Sequence, residues 1–166
     1  MIDTTYGNVP QDLADRMVRA SDAPLGTSFG AGNTEPWITE IVVALLKATG
    51  IPVAFETGAF QGATSVALAY ALEAMGGGQL DVCEIDEERA QQVRARLLDT
   101  NVHQKGVWWN MHVADALSVI RSLPDHSLGL AWVDDDHTMA HVSDEVAALW
   151  SKMAPRGIIT LHAGYG

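Results

Sequence analysis

Strand-length apolar runs alternate with helix-length segments over residues 53–162. This alternation predicts an α/β fold, a mostly parallel sheet with helices on both faces. Two further observations point the same way. A short turn with glycines at 58 and 62 joins the first such strand to the first following helix, and acidic residues (Glu56, Glu84, Asp134) stand at or near the ends of successive strands. In open sheets of this kind ligands bind beyond the strand C-termini, near the switch in strand order.

The elements follow in order. Residues 10–21, "PQDLADRMVRAS", read as a short amphipathic helix with Leu13, Met17 and Val18 on one face, and residues 22–33 as a glycine-rich loop. We therefore expect residues 1–33 to form an N-terminal helix and loop able to act as a lid, and residues 34–166 to form the ligand-binding domain. Residues 34–50 predict a helix with Thr34 as N-cap, Pro36 in the first turn, a stripe of Ile38, Ile41, Val42, Leu45 and Leu46, and Gly50 as its stop. The alternation then runs strand 53–56, helix 62–78, strand 79–84, helix 86–101, strand 107–113, helix 115–123, strand 128–134, helix 139–153 and strand 157–162. The helix from 86 carries acids first and arginines later, as the helix dipole favours.

Composition narrows the function classes. The chain has 166 residues, 48% of them apolar, enough for one well-filled domain. The net charge of −11 argues against a nucleic-acid backbone as partner, because such binding rests on Lys and Arg neutralising phosphates. The first residues have neither a basic start nor an apolar run, so no secretory signal is expected, and no apolar run reaches membrane-spanning length. The single cysteine, Cys83, cannot close an internal disulfide; a reducing, cytoplasmic setting fits, and Cys83 reads as a small buried hydrophobe. Nothing in the sequence opposes a homo-oligomer.

The turn Glu56-Thr57-Gly58-Ala59-Phe60-Gln61-Gly62 has only two of the three glycines of a dinucleotide turn and no lysine to meet a phosphate. An acid at its mouth suits a ligand with cationic groups and hydroxyls. S-adenosylmethionine, with a sulfonium, an ammonium and no phosphate, is such a ligand. Glu84 falls where an acid can accept both ribose hydroxyls, or it charges the start of the next helix. Asp115 is suited either to an exocyclic amine such as adenine N6 or to N-capping the helix that follows.

These stretches resemble the class I S-adenosylmethionine-dependent methyltransferases, and within them the small-molecule O-methyltransferases of the catechol O-methyltransferase and bacterial natural-product types. The likeness rests on "FETGAFQGATSVALA", "VCEIDEERA" and "WVDDDHTMAHVSDEVAALWSKMAPRGIITLH", in family order from residue 34 to 162. It implies a Rossmann-like domain, here without the family's last two strands, and O-methylation of a small hydroxylated molecule with S-adenosylhomocysteine as the second product. It further implies that Glu56, Gly58, Gly62 and Thr64 line the methionine end, that Phe60 also contacts the cofactor, that Glu84 takes the ribose, that Ala114 and Asp115 flank adenine, and that Asp134 lies beside the ammonium or a metal. Asp134 and His162 are the catalytic candidates, since imidazole titrates near neutrality and a strand end is a rigid mount.

The sequence departs from the family at one place. Metal-dependent members hold magnesium with the acid after strand four and a pair after strand five; here Ala163 and Gly164 follow His162, so no metal site is expected there, although Asp136, His137 and His162 stand near enough in sequence to be substitutes. Two rival functions remain: a non-catalytic or truncated nucleoside-binding module, and an NAD-dependent oxidoreductase, which the missing third glycine disfavours. The plainer readings are a solvated turn for "DDDH" at 134–137, structural roles for His137 and His162, core packing for Trp108 and Trp109, and either a lid or a hinge for Phe29 and Trp37.

Overall fold

The structure, a computed structural model, describes Thr34 and residues 36–162. The N-terminal helix and loop expected before residue 34, the Phe29 and Trp37 side chains, and Ala163 and Gly164 lie outside the described residues. The described chain runs α1 (Pro36–Thr49), β1 (Val53–Thr57), α2 (Ala63–Ala74), β2 (Gly78–Glu84), α3 (Glu87–Thr100), a 3₁₀ turn (Val102–Lys105), β3 (Val107–Val113), α4 (Ala116–Ser122), β4 (Leu128–Val133), α5 (Met139–Trp150) and β5 (Met153–Leu161). The five strands form one parallel sheet in the order β3-β2-β1-β4-β5.

The order reverses at β1, which pairs with β2 on one side and β4 on the other. Period-two alternation sorts the side chains between two cores. Ala54, Leu80, Val82, Leu130 and Trp132 face one layer, where α1, α2 and α3 contribute Val43, Leu46, Leu68, Leu72, Val93 and Leu97. Phe55, Cys83, Ala131 and Val133 face the other, against Val119 and Ile120 of α4 and Leu149 of α5. Fully burying one Leu or Phe contributes roughly 1.5–3 kcal/mol, and both faces are filled this way. α2 is buried almost all round, and its alanines let it lie between its neighbours. Among the described residues no helix is long and apolar enough to cross a membrane.

Three expectations need correction. Trp108 does not pack in the core: β3 is an edge strand, Trp108 points outward and is 75% exposed, while Trp109 packs on the inner layer. The helix expected to reach 153 ends at Trp150, and the last strand starts at Met153 rather than 157. Leu128 pairs with Met153 but Leu130 pairs with Ile158, so β5 bulges between them. The bulge holds Pro155 and the left-handed Arg156 (φ 73°), which an edge strand accommodates. The Thr34 hydroxyl donates to the Asp134 carboxylate at 2.9 Å.

Candidate functional site

Because every strand is parallel, all five C-termini open on one edge, and the acids at their ends converge there. The turn after β1 is the tightest part. Gly58 (φ 66°), Phe60 (φ 50°) and Gly62 (φ 81°) are all left-handed. At Gly58 this is imposed by packing as well as by the turn: an added Cβ would lie 2.2 Å from the Asp134 carbonyl oxygen. Phe60 has a Cβ and holds a conformation that side chains seldom adopt, a feature that clusters at functional sites. The Phe60 N–H donates to Glu84 Oε2 at 2.9 Å, and the guanidinium of Arg89 lies 4.8 Å from the Phe60 ring centroid.

Two clefts meet at Gly58, Phe60 and Asp134. The larger, about 450 Å³, is also lined by Cys83, Glu84, Arg89, Ala114, Asp115, Asp135, Asp136, His137 and His141. The smaller is also lined by Thr34, Glu56, Ala59, Ala63 and Thr64. The expected residues thus divide: Glu84, Ala114 and Asp115 open to one cleft, Glu56 and Thr64 to the other.

Gly62 lines neither cleft. It caps the start of α2, and its missing Cβ lets the turn approach Val93 of α3, which a Cβ would meet at 3.2 Å. Close packing of a helix on its neighbour is one of the uses of glycine at such a turn. His162 also lines neither cleft among the described residues. Its Nδ1 lies 2.7 Å from Asp134 Oδ1, and its ring stacks on Trp132 at 5.7 Å between centroids.

Asp115 takes the capping role of the two the sequence left open. Its carboxylate accepts from the Ser118 N–H at 2.9 Å, capping α4, and the residue still lines the larger cleft. Glu84, 5% exposed, accepts from the Phe60 and Asp86 N–H groups, one on each oxygen, and so is held in place by backbone. Asp86, not Glu84, caps α3. Cys83 is buried, as expected, and burial pushes its thiol up to about 12, so it stays a neutral donor to the Ala114 carbonyl at 3.1 Å. Asp135, within the "DDDH" turn, lines the larger cleft beside Asp134. Glu145, which no motif in the sequence singles out, is fully buried on α5.

Glu56 is 1% exposed and accepts from Ser65 Oγ at 2.5 Å. Burial pushes its carboxyl from 4.5 up to about 8, the Asp134 and Glu84 carboxylates add to the rise, and the Ser65 bond opposes it. Asp134 is also raised, by burial first, against the opposing hydrogen bonds from His162 and Thr34. The Glu56 shift sets a pH dependence. Between pH 4.5 and about 8 the folded chain holds a proton that the unfolded chain has released, so this group's stabilisation is complete below pH 4.5 and is lost as pH rises through 8. Glu56→Gln keeps an acceptor for Ser65 and should flatten that part of the fall. Urea melts at pH 5, 7 and 8.5 measure it, and an unchanged slope in the variant would contradict the assignment.

The sequence matches the family model described as a methyltransferase domain over residues 55–163, well over half of the chain. The chain belongs to this methyltransferase-domain family. No curated protein sequence matches it. Among solved structures, the methyltransferase domain is similar to the S-adenosylhomocysteine-bound methyltransferase PaMTH1 of Podospora anserina, with 12% identity and a TM-score of 0.69 over 92% of this chain and 62% of that one. It is similar to the O-methyltransferase TomG of Streptomyces achromogenes, involved in tomaymycin synthesis and crystallised with S-adenosylmethionine, with 18% identity and a TM-score of 0.68 over 92% and 66%. It is also similar to an O-methyltransferase of Bacillus cereus in complex with S-adenosylhomocysteine, with 17% identity and a TM-score of 0.64 over 93% and 67%. At these identities the likeness establishes the fold, Rossmann-like as expected. The methyltransferase domain spans about two thirds of the length of these proteins.

Proposed function

We propose that the chain binds S-adenosylmethionine in the larger cleft and the small one beside it, and that it carries out O-methylation of a small hydroxylated molecule. The observation that carries the reading is the charge of the larger cleft. Glu84, Asp115, Asp134, Asp135 and Asp136 line it against Arg89, with no lysine. A dinucleotide would bring a diphosphate into that field at a Coulombic cost, whereas a sulfonium and an ammonium are attracted by it. The same observation disfavours NAD.

When bound, S-adenosylmethionine supplies an electrophilic methyl group. Glu84, anchored by two backbone N–H groups, has lone pairs left for the ribose hydroxyls. Ala114 and Asp115 offer the adenine edge a carbonyl, a carboxylate and a flat apolar wall. Glu56 and Thr64 offer the ammonium an acceptor pair in the narrow cleft. Asp134 stands where the clefts meet, and it accepts the proton lost by the acceptor hydroxyl, with His162 and Thr34 holding its two oxygens in place.

Titration calorimetry with S-adenosylmethionine, S-adenosylhomocysteine and NAD tests the reading. Binding of the first two and not the third is the expected result; NAD binding alone would overturn it. A chain that binds both adenosyl compounds and transfers no methyl group to any phenol or catechol would instead be a binding module. Glu84→Ala should weaken S-adenosylhomocysteine by about 1.5–3 kcal/mol, the usual size for hydrogen bonds to a charged group. Unchanged affinity removes Glu84 from the site.

A further inference from the structure

We propose that Asp135, His141 and Glu145 form a site for one divalent transition-metal ion of the zinc type, set in the wall of the larger cleft. His141 and Glu145 are four residues apart on α5 and so share a face of the helix. The helix start is fixed twice over: Thr138 Oγ1 accepts from the His141 N–H, and Asp136 Oδ1 accepts from the Thr138 N–H at 2.8 Å. Asp135, just after β4, faces this first turn. One ligand atom from each of the three residues lies within 4.8 Å of the others.

The second observation is independent of the clustering. The Glu145 side chain is 0% exposed and neither of its oxygens has a hydrogen-bond donor; Asp135 Oδ1 is likewise buried without one. Buried carboxylate oxygens without donors are rare, because their desolvation cost goes unmet. These oxygens face each other and the imidazole, so a shared cation meets the need of all of them. The donor set, one imidazole and two carboxylates, suits zinc or its neighbours more than magnesium, which prefers an all-oxygen octahedron. Zinc bonds of about 2.0–2.2 Å in a tetrahedron put ligand atoms about 3.3–3.6 Å apart. His141 Nε2 is 3.1 Å from Asp135 Oδ2 and 3.7 Å from Glu145 Oε1, which brackets that spacing.

Three protein ligands leave a coordination position open. His141 and Asp135 line the cleft, so that position can take water or an oxygen of a bound molecule. The expectation of no metal concerned Asp134 and the residues after β5; this cluster uses neither. The rival account is a proton shared between Glu145 and Asp135, with no metal bound.

The full chain, stripped with chelator, is titrated with zinc chloride alone and followed by calorimetry and elemental analysis. One zinc per chain is expected, with magnesium weaker by roughly a hundredfold or more, and with Glu145→Gln and His141→Ala each weakening zinc by roughly a hundredfold. His126→Ala, at an exposed site, should bind as the parent does. The assignment is overturned if the parent chain takes up no zinc at about 0.1 mM, or if both variants bind it as tightly as the parent. If Glu145→Gln fails to fold, His141→Ala decides between the same two outcomes, since that side chain is 22% exposed and its loss leaves no large cavity. A Glu145→Gln chain more stable than a parent that binds no zinc would establish the shared proton.

Discussion

Gly58→Ala should unfold the site and much of the sheet edge with it. The added methyl would lie 2.2 Å from the Asp134 carbonyl oxygen and 2.6 Å from Asp135 Cα, backbone atoms that no rotamer change can move aside. The left-handed φ of 66° adds about 1–2 kcal/mol for a residue with a Cβ, and overpacking adds about 1–3 kcal/mol or more. A loss of roughly 2–5 kcal/mol lowers the melting temperature by about 10 °C in a domain of this size. S-adenosylhomocysteine binding should go with it, because the β1 turn and the end of β4 are forced apart. Gly76→Ala is the control: its φ is also positive, at 95°, but nothing stands within 4 Å, so only the conformational part should appear. Equal melting temperatures for the two variants would mean that the close approach at Gly58 is not what limits the turn.

His162→Ala should act on turnover rather than on the fold. On the proposed reaction, removing the imidazole leaves Asp134 with Thr34 as its remaining side-chain partner and takes away a group able to pass on the proton; one acid–base group is worth roughly 10²–10⁴ in rate. Affinity for S-adenosylhomocysteine should hold, since His162 itself lines neither cleft and meets their walls through Asp134 and the edge of His137. A purely structural role makes a different forecast. The ring stacks on Trp132 and holds Asp134 Oδ1, so on that account melting temperature and cofactor affinity would fall together while the rate per bound cofactor stayed level. His162→Gln, which can still donate to Asp134, should recover affinity and stability in the structural case and little of the rate in the catalytic one.

The strands and helices were legible because their periodicity is local. Val53 to Phe55 is a short apolar run closed by an acid, and Gly62 and Gly78 bracket a helix. The acids at the strand ends were legible for the same reason: once the strands are parallel, Glu84, Asp115 and Asp134 must meet at one edge. Strand order is not local, and Trp108 shows the cost, since a strand at the sheet border and a strand in its middle can have the same sequence pattern. Pro155 and Arg156 read as a break before β5, because an irregular pairing with β4 leaves no periodic trace. Glu145 was invisible for a related reason. A lone acid on a helix reads as solvated, and only the packing of the folded chain, with Asp135 beside it, turns that position into an interior. The approach of Gly62 to Val93 is a contact between elements that sequence spacing does not encode.

The clefts are closed by bonds that join distant parts of the chain. Thr34 meets Asp134 across 100 residues, the Asp134 N–H meets Thr57 Oγ1 across 77, and Phe60 meets Glu84 across 24. β1 carries the seam, with β2 and α3 on one side and β4 and α5 on the other. The site is therefore a joint between two halves of a single sheet, and chain entropy works against keeping it shut. Any molecule gripped by Glu84 on one half and Asp134 on the other becomes a clasp across that joint, drawing part of its affinity from holding the halves together and returning it as resistance to unfolding.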